Sequence, residues 1–384
     1  YSKNGVMIAS QNGTVVDVLR KGTNLEDAED TPGHKITKIT QSKLTDYGSG
    51  SAPTSSEGSS NEAATGTIIA LAQGTWGNGG VNSSMSSSGS LTGLASEINI
   101  GKDVEMSARY HKFSDTDIVY PIAYAATDGG KVTVEDGKST TALGYGSIIG
   151  YAKGVSSNTK NAVSTVNAKG DIFAQDASAA NDDDTKALKW TNIGGYAKDG
   201  GIVNLGKDDN SSTIKINGLA GYADGSNGTH LSTVNIHGTK SNTTINTGAA
   251  GALVAKNGGV VNLQGATINH QNNNTVAGKN DHDNTTPFYS FHDGTNADGQ
   301  IIFQGDTTLN MHDGVLITGK DNDYKAAIDN TSKYQNLSKL TVNIYGNNVT
   351  LGSFDGLNLE WDDKTDSKQT FQNGLPGISK FAGG

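Results

Sequence analysis

The sequence predicts an all-β fold, a parallel β-helix with loop insertions, and three observations carry that prediction. Short apolar–polar–apolar triplets followed by glycine recur along the chain, they recur at the period of a repeat array, and glycine is abundant while proline is scarce. The triplets are Ile98-Asn99-Ile100, Val132-Thr133-Val134, Val166-Asn167-Ala168, Val203-Asn204-Leu205, Val234-Asn235-Ile236, Val261-Asn262-Leu263, Leu309-Asn310-Met311 and Val342-Asn343-Ile344. Alternation is the strand period, so the flanking residues point into a core and the central residue points out. Val203, Leu205, Val234, Ile236, Val261 and Leu263 are therefore expected to be buried, with Asn204, Asn235 and Asn262 on the opposite face.

The central residues stand at 99, 133, 167, 204, 235, 262, 310 and 343, giving steps of 34, 34, 37, 31, 27, 48 and 33. Self-similarity at such a period marks a solenoid, a propeller or another repeat array. A propeller blade needs four strands in about 40–45 residues, with a recurring blade signature. The shorter unit here, and outward asparagines at equivalent positions as in a stacked ladder, favour the β-helix.

Most triplets follow a small-residue strand that ends in a glycine turn. Ala123-Tyr124-Ala125 precedes Asp128-Gly129-Gly130, Gly195-Tyr196-Ala197 precedes Asp199-Gly200-Gly201, and Leu253-Val254-Ala255 precedes Asn257-Gly258-Gly259. Asp-Gly and Asn-Gly supply the positive φ angles of tight turns. Gly150-Tyr151-Ala152 and Gly221-Tyr222-Ala223 repeat the strand with longer connections. One unit thus reads strand, turn, strand, turn.

Along the chain, residues 1–97 read as N-terminal coils with Ser/Gly-rich insertions, Val16-Asp17-Val18 marking an early coil. Residues 98–350 are regular coils, and residues 351–384 are a C-terminal coil or the start of a further segment. Four stretches exceed the unit: Gly48–Asn61, Val81–Ser90, Asp176–Trp190 and Gln271–Asn296. Such excess becomes loops on one face, because stacked strands must keep register. A short helix over 182–190 is the one helical expectation. Tyr1 opens inside a repeat and Phe381-Ala382-Gly383-Gly384 closes without a polar cap, so a piece of a longer protein is expected.

Composition narrows the function classes. Glycine supplies 51 of 384 residues, proline 5 and cysteine none, which excludes collagen and thiol chemistry. Hydrophobic residues are only 34%, yet they concentrate in the triplets, and a thin elongated core needs few. A net charge of -10 opposes nucleic-acid binding, which needs a basic surface. Arg20 and Arg109 are the only arginines, so few bidentate anion forks exist. No run is long and apolar enough for a transmembrane helix, so no membrane insertion of this segment is expected.

The Gly-Tyr-Ala units, Asn257–Leu263 and the Val-Asn-Ile-x-Gly units resemble the passenger domains of large type V autotransporters of Gram-negative bacteria, most closely the fusobacterial-type adhesins. The resemblance covers roughly residues 98–350 and lies in repeat and composition, with no catalytic signature. It implies a right-handed parallel β-helix, exported across the outer membrane to the bacterial cell surface and used in adhesion to host-cell or bacterial surface proteins or glycans. No binding residue carries over from it.

Asp182-Asp183-Asp184 lacks the ligand spacing of calcium loops and reads as a solvated charge run, as do Asp321, Asp323, Asp362 and Asp363. His270, His282 and His292 share one insert without zinc-site spacing. Neither a metal nor a cofactor is expected. Polysaccharide lyase or glycosidase is the competing class, since many β-helices belong to it, but no cluster has the pattern of paired catalytic carboxylates. Aromatic residues are only 6% of the chain, so those in or beside inserts stand out. They can stack on sugars or anchor a protein partner. Trp76 and Phe291 are among them, and Trp190, Phe288 and Tyr289 are the expected ligand-binding residues.

Overall fold

The computed structural model describes residues 6–11, 13–19, 36–40, 43–46, 68–74, 96–101, 104–109, 122–136, 140–143, 148–155, 162–175, 192–248, 251–271, 286–291, 297–312, 314–315, 333–345, 349–354, 357–360 and 369–371. These form a parallel β-helix with three strands per coil. In one full coil, Asn192–Lys198 lies on the first face and Ile202–Leu205 on the second. The long strand Ile214–Asp224 then supplies the third face and bends into the first face of the next coil. Its early residues pair with 172–174 and 243–246, and its later residues pair with 192–198 and 253–256. The second face is a ten-stranded sheet of its own; the first and third join through such bends into a seventeen-stranded one.

The strand-and-turn reading of the sequence thus captured two faces and missed the third. Its consequence is a correction to the repeat itself. Leu309-Asn310-Met311 and Val342-Asn343-Ile344 lie on the third face, pairing with Ile268-Asn269-His270 and with one another. The second-face partner of Asn262 is Ile302, so the step of 48 joins a long coil of 40 residues, from 262 to 302, to a jump onto the third face.

The expected orientation holds. Val203, Leu205, Val234, Ile236, Val261 and Leu263 are all at 0% exposure, while Asn204, Asn235 and Asn262 face outward and are half-buried. Each buried aliphatic side chain contributes about 1.5–3 kcal/mol. On the second face the amides form a continuous ladder: Asn204 Nδ2 donates to Asn167 Oδ1 at 2.7 Å, Asn235 to Asn204 at 2.7 Å, and Asn262 to Asn235 at 2.8 Å. Stacking satisfies part of each amide and fixes coil register at once.

Glycine on the first face answers valine on the second. Gly150, Gly195 and Gly221 share one register position and point inward. A Cβ on Gly195 would stand 2.8 Å from Val234 Cγ1 and 3.0 Å from Val203 Cγ1. The core is therefore thin enough there for a valine to reach the opposite backbone. Tyr124 occupies the Gly150 register and is fully buried. Ala123-Tyr124-Ala125 is thus one residue out of phase with the Gly-Tyr-Ala strands it was grouped with, and a one-residue shift turns the side chain to the other face.

Turns between first and second faces follow the sequence reading. Asp128, Asp199 and Asn257 have φ of 52°, 49° and 54°, each followed by a glycine at 84–86°. A buried serine braces this corner from the next coil: Gly200 N donates to Ser232 Oγ at 3.0 Å, and that hydroxyl donates to Asp224 O at 2.6 Å.

At the ends the parallel rule lapses. Ile36–Thr40 adds to the free edge of Val15–Leu19, which pairs on its other side with 97–100. Strand Leu340–Ile344 pairs antiparallel with Gln369–Phe371, and Val349–Phe354 pairs antiparallel with Leu357–Glu360. The helix expected over 182–190 lies outside the described residues. Among the described residues the helical structure is one 3-10 turn, Leu337–Lys339. No helix there is long and apolar enough to cross a membrane.

Candidate binding face

The three corners of the coil differ in what they carry. Between second and third faces the connections stay short, the longest being 206–213. Between third and first faces run 47–67, 110–121, 176–191 and 271–287, and between first and second faces run 74–96 and 154–164. Most long connections therefore leave the two corners that bound the first face; the exception is 20–35, which leaves the end of the second-face strand Val15–Leu19 and returns to that same face.

Along the outside of that face stands a row of tyrosines. Pairing puts Tyr151, Tyr196 and Tyr222 in register on successive coils, followed by Val254 and Tyr289. Ring centroids are 5.3 Å apart for Tyr151–Tyr196 and 4.7 Å for Tyr196–Tyr222, with interplanar angles of 69° and 84°. Edge-to-face packing of this kind suits the ring quadrupoles and holds each ring against its neighbour. All three rings are half-buried, leaving part of each open to solvent.

Two residues on, the next outward row holds Lys153, Lys198, Asp224 and Lys256. Lys256 Nζ lies 3.5 Å from Asp224 Oδ2 and 6.0 Å from the Tyr222 ring centre. Asn257 Nδ2 donates to Asp224 Oδ1 at 2.9 Å. Burial pushes the Tyr151 hydroxyl above its ordinary pKa, with Asp199 and Asp128 adding to it. Tyr196 is raised further, first by burial and then by Tyr222, Tyr151 and Asp224, with Lys256 opposing. Both stay neutral phenols across the physiological range, each keeping a hydroxyl that can donate and accept.

Of the three residues expected to bind, one joins this face. Tyr289 points outward in the tyrosine row and is half-buried; its ring lies over Gly251 of the preceding coil, and burial raises its pKa. Phe288 instead turns inward at 0% exposure and packs edge-on against Phe303 at 5.3 Å. It stands in the inward register of Gly221 and Leu253, so it fills core and offers no surface to a partner. Trp190 lies outside the described residues, as do Trp76, Asp182-Asp183-Asp184, His282 and His292. His270 is fully buried on the third face. Among the described residues no three His, Cys, Asp or Glu side chains gather as metal ligands would.

The tyrosine row was absent from the sequence-derived site, although its signal was present. Three Gly-Tyr-Ala strands place tyrosine at one phase of one repeat, and alternation opposite an inward glycine turns it outward. No family model matches this chain, and no curated protein or solved structure matches it.

Proposed function

We propose that this chain is a segment of a bacterial cell-surface adhesin, a rigid β-helix that binds a host-cell or bacterial surface protein or glycan along its first face, without chemistry. The observation that carries the reading is the Tyr151–Tyr196–Tyr222 row set between the two corners from which most of the long connections leave. Aromatic side chains that keep a polar tip are the residues most used to anchor partners at surfaces. Preorganised rings lose little freedom on binding. Lys153, Lys198 and Lys256 beside them add donors at the rim, where charge steers encounter.

The test is binding of the purified chain to a panel of cells and to a glycan array. Tyr196→Ala with Tyr222→Ala should keep the β-sheet circular dichroism spectrum and lose at least tenfold in cell binding. Retention of full binding by that folded variant would refute the first-face site.

A further inference from the structure

The outside of the third face carries two aligned rows. Asn217, Asn246, Asn269, Asn310 and Asn343 form one, each pairing in register with the next; Asn343, beside the antiparallel strand Gln369–Phe371, is buried, so four of the amides reach the surface. Two residues earlier run Lys215, Thr244, Thr267, Thr308 and Thr341. Coils stack about 4.8 Å apart and the two rows stand about 6.6 Å apart, twice the rise per strand residue.

The amides form a ladder of single sense. Asn246 Nδ2 donates to Asn217 Oδ1 at 3.0 Å, Asn269 to Asn246 at 2.9 Å, Asn310 to Asn269 at 2.8 Å, and Asn343 to Asn310 at 2.8 Å. An amide has two N–H donors and two oxygen lone pairs. An interior rung uses one of each, which leaves a donor and an acceptor per coil.

The second face provides the control for what stacking alone requires. It carries its own asparagine ladder, yet the positions two residues earlier hold Thr165, Ile202, Thr233 and Val260. An amide ladder therefore tolerates aliphatic companions. On the third face every companion from 244 to 341 is threonine, so the fold does not demand that hydroxyl row. The Thr267 hydroxyl donates to Lys240 O at 2.7 Å and keeps its lone pairs as acceptors.

From this array we infer that the third face binds an extended, uncharged polysaccharide, with the chain laid along the solenoid axis. Equatorial hydroxyls on successive sugars of a β-1,4-linked chain advance by nearly the coil spacing. Each sugar would then meet one asparagine amide on one side and one threonine hydroxyl on the other. Neutrality of the ligand follows from the surface: within the two rows Lys215 is the one ionisable residue, and it stands at the end. A fixed ladder also loses little side-chain freedom on binding, so weak contacts can add over several coils.

Calorimetry with cello-oligosaccharides of increasing length, and pull-down on insoluble cellulose, test this site. Affinity should climb with length and level off near four sugars, the number of amides that reach the surface. Thr244→Val, Thr267→Val and Thr308→Val together keep β-branched shape, so melting should be preserved while affinity falls at least tenfold. Tyr196→Ala with Tyr222→Ala should leave cellulose binding intact, which separates this site from the first-face reading. Absence of binding to these oligosaccharides, undiminished binding by the folded valine variant, or inhibition of ice growth without glycan binding would each overturn the inference.

Discussion

Gly259 sits against the carbonyl of Ala223 in the coil before it, so closely that a Cβ on Gly259 would overlap that oxygen. Its neighbour Gly258 has open space around the same position but a φ of 86°. Two consecutive glycines are thus required for different reasons, one for close approach between coils and one for a left-handed backbone. Gly130 and Gly201 repeat the close approach against Ala72 and Ala152.

That distinction sets the first expected outcome. Gly258→Ala should cost about 1–2 kcal/mol, the left-handed penalty for an L-residue. Gly259→Ala has ordinary φ yet must push two coils apart, and should cost more. Urea midpoints measure both; equal losses, or a larger one at Gly258, would show that coil spacing is not what the second glycine protects.

Across the core, Gly195 and Val234 should behave as a coupled pair. Gly195→Ala overpacks the site and should cost about 1–3 kcal/mol. Val234→Ala leaves a cavity, with a loss of about 1–3 kcal/mol for the methyl groups removed. Combined, the new methyl enters space that the valine gave up, so the double mutant should lose less than the sum. Strict additivity would deny the contact.

Much of this was legible in the sequence because inward valines and leucines obey a period of two, and because Asp-Gly and Asn-Gly demand one backbone shape. The third face was hidden for a physical reason. Thr243–Thr247 and Ala266–His270 alternate as regularly as the second-face strands, but they join the first face through bends or variable connections. No fixed turn marks them off. Asn310 and Asn343 therefore counted as later rungs of a ladder they do not belong to. Phe288 and Tyr289 show the limit for the site: adjacency to an insert could not say which of two neighbouring aromatics turns inward. Only the coil register, with Gly221 and Leu253 below Phe288, decides it.

Asn235 offers a probe of the ladder itself. It donates to Asn204 and accepts from Asn262, so Asn235→Ala should cost about 1–3 kcal/mol, two net hydrogen bonds. Asn235→Asp retains the acceptor but sets a carboxylate oxygen against Asn204 Oδ1. Protonation restores a donor there, which raises the folded-state pKa of the new carboxyl. The variant's deficit should therefore be small below the ordinary carboxylate range and grow as pH rises through the raised value. Chemical denaturation at acidic and neutral pH reads this directly, and a deficit that shrinks with rising pH would contradict the donor sense of the ladder.

The tyrosine row should make the fold sensitive to alkali. Tyr151 and Tyr196 have pKa values raised above the ordinary 10.0, chiefly by burial against their neighbours. In the unfolded chain they ionise near 10.0, while the folded chain still holds its protons. The unfolded state then binds fewer protons than the native one, so stability falls as pH rises. The contribution is complete below the unfolded pKa and is lost as pH climbs through the folded values. Replacing Tyr151, Tyr196 and Tyr222 by phenylalanine keeps the rings and removes the titration. Melting of the parent should decline above pH 10 more steeply than melting of this triple variant, since lysine titration is common to both. Parallel curves would mean that the hydroxyls meet the same environment folded and unfolded, and that the row is more open to solvent than its packing implies.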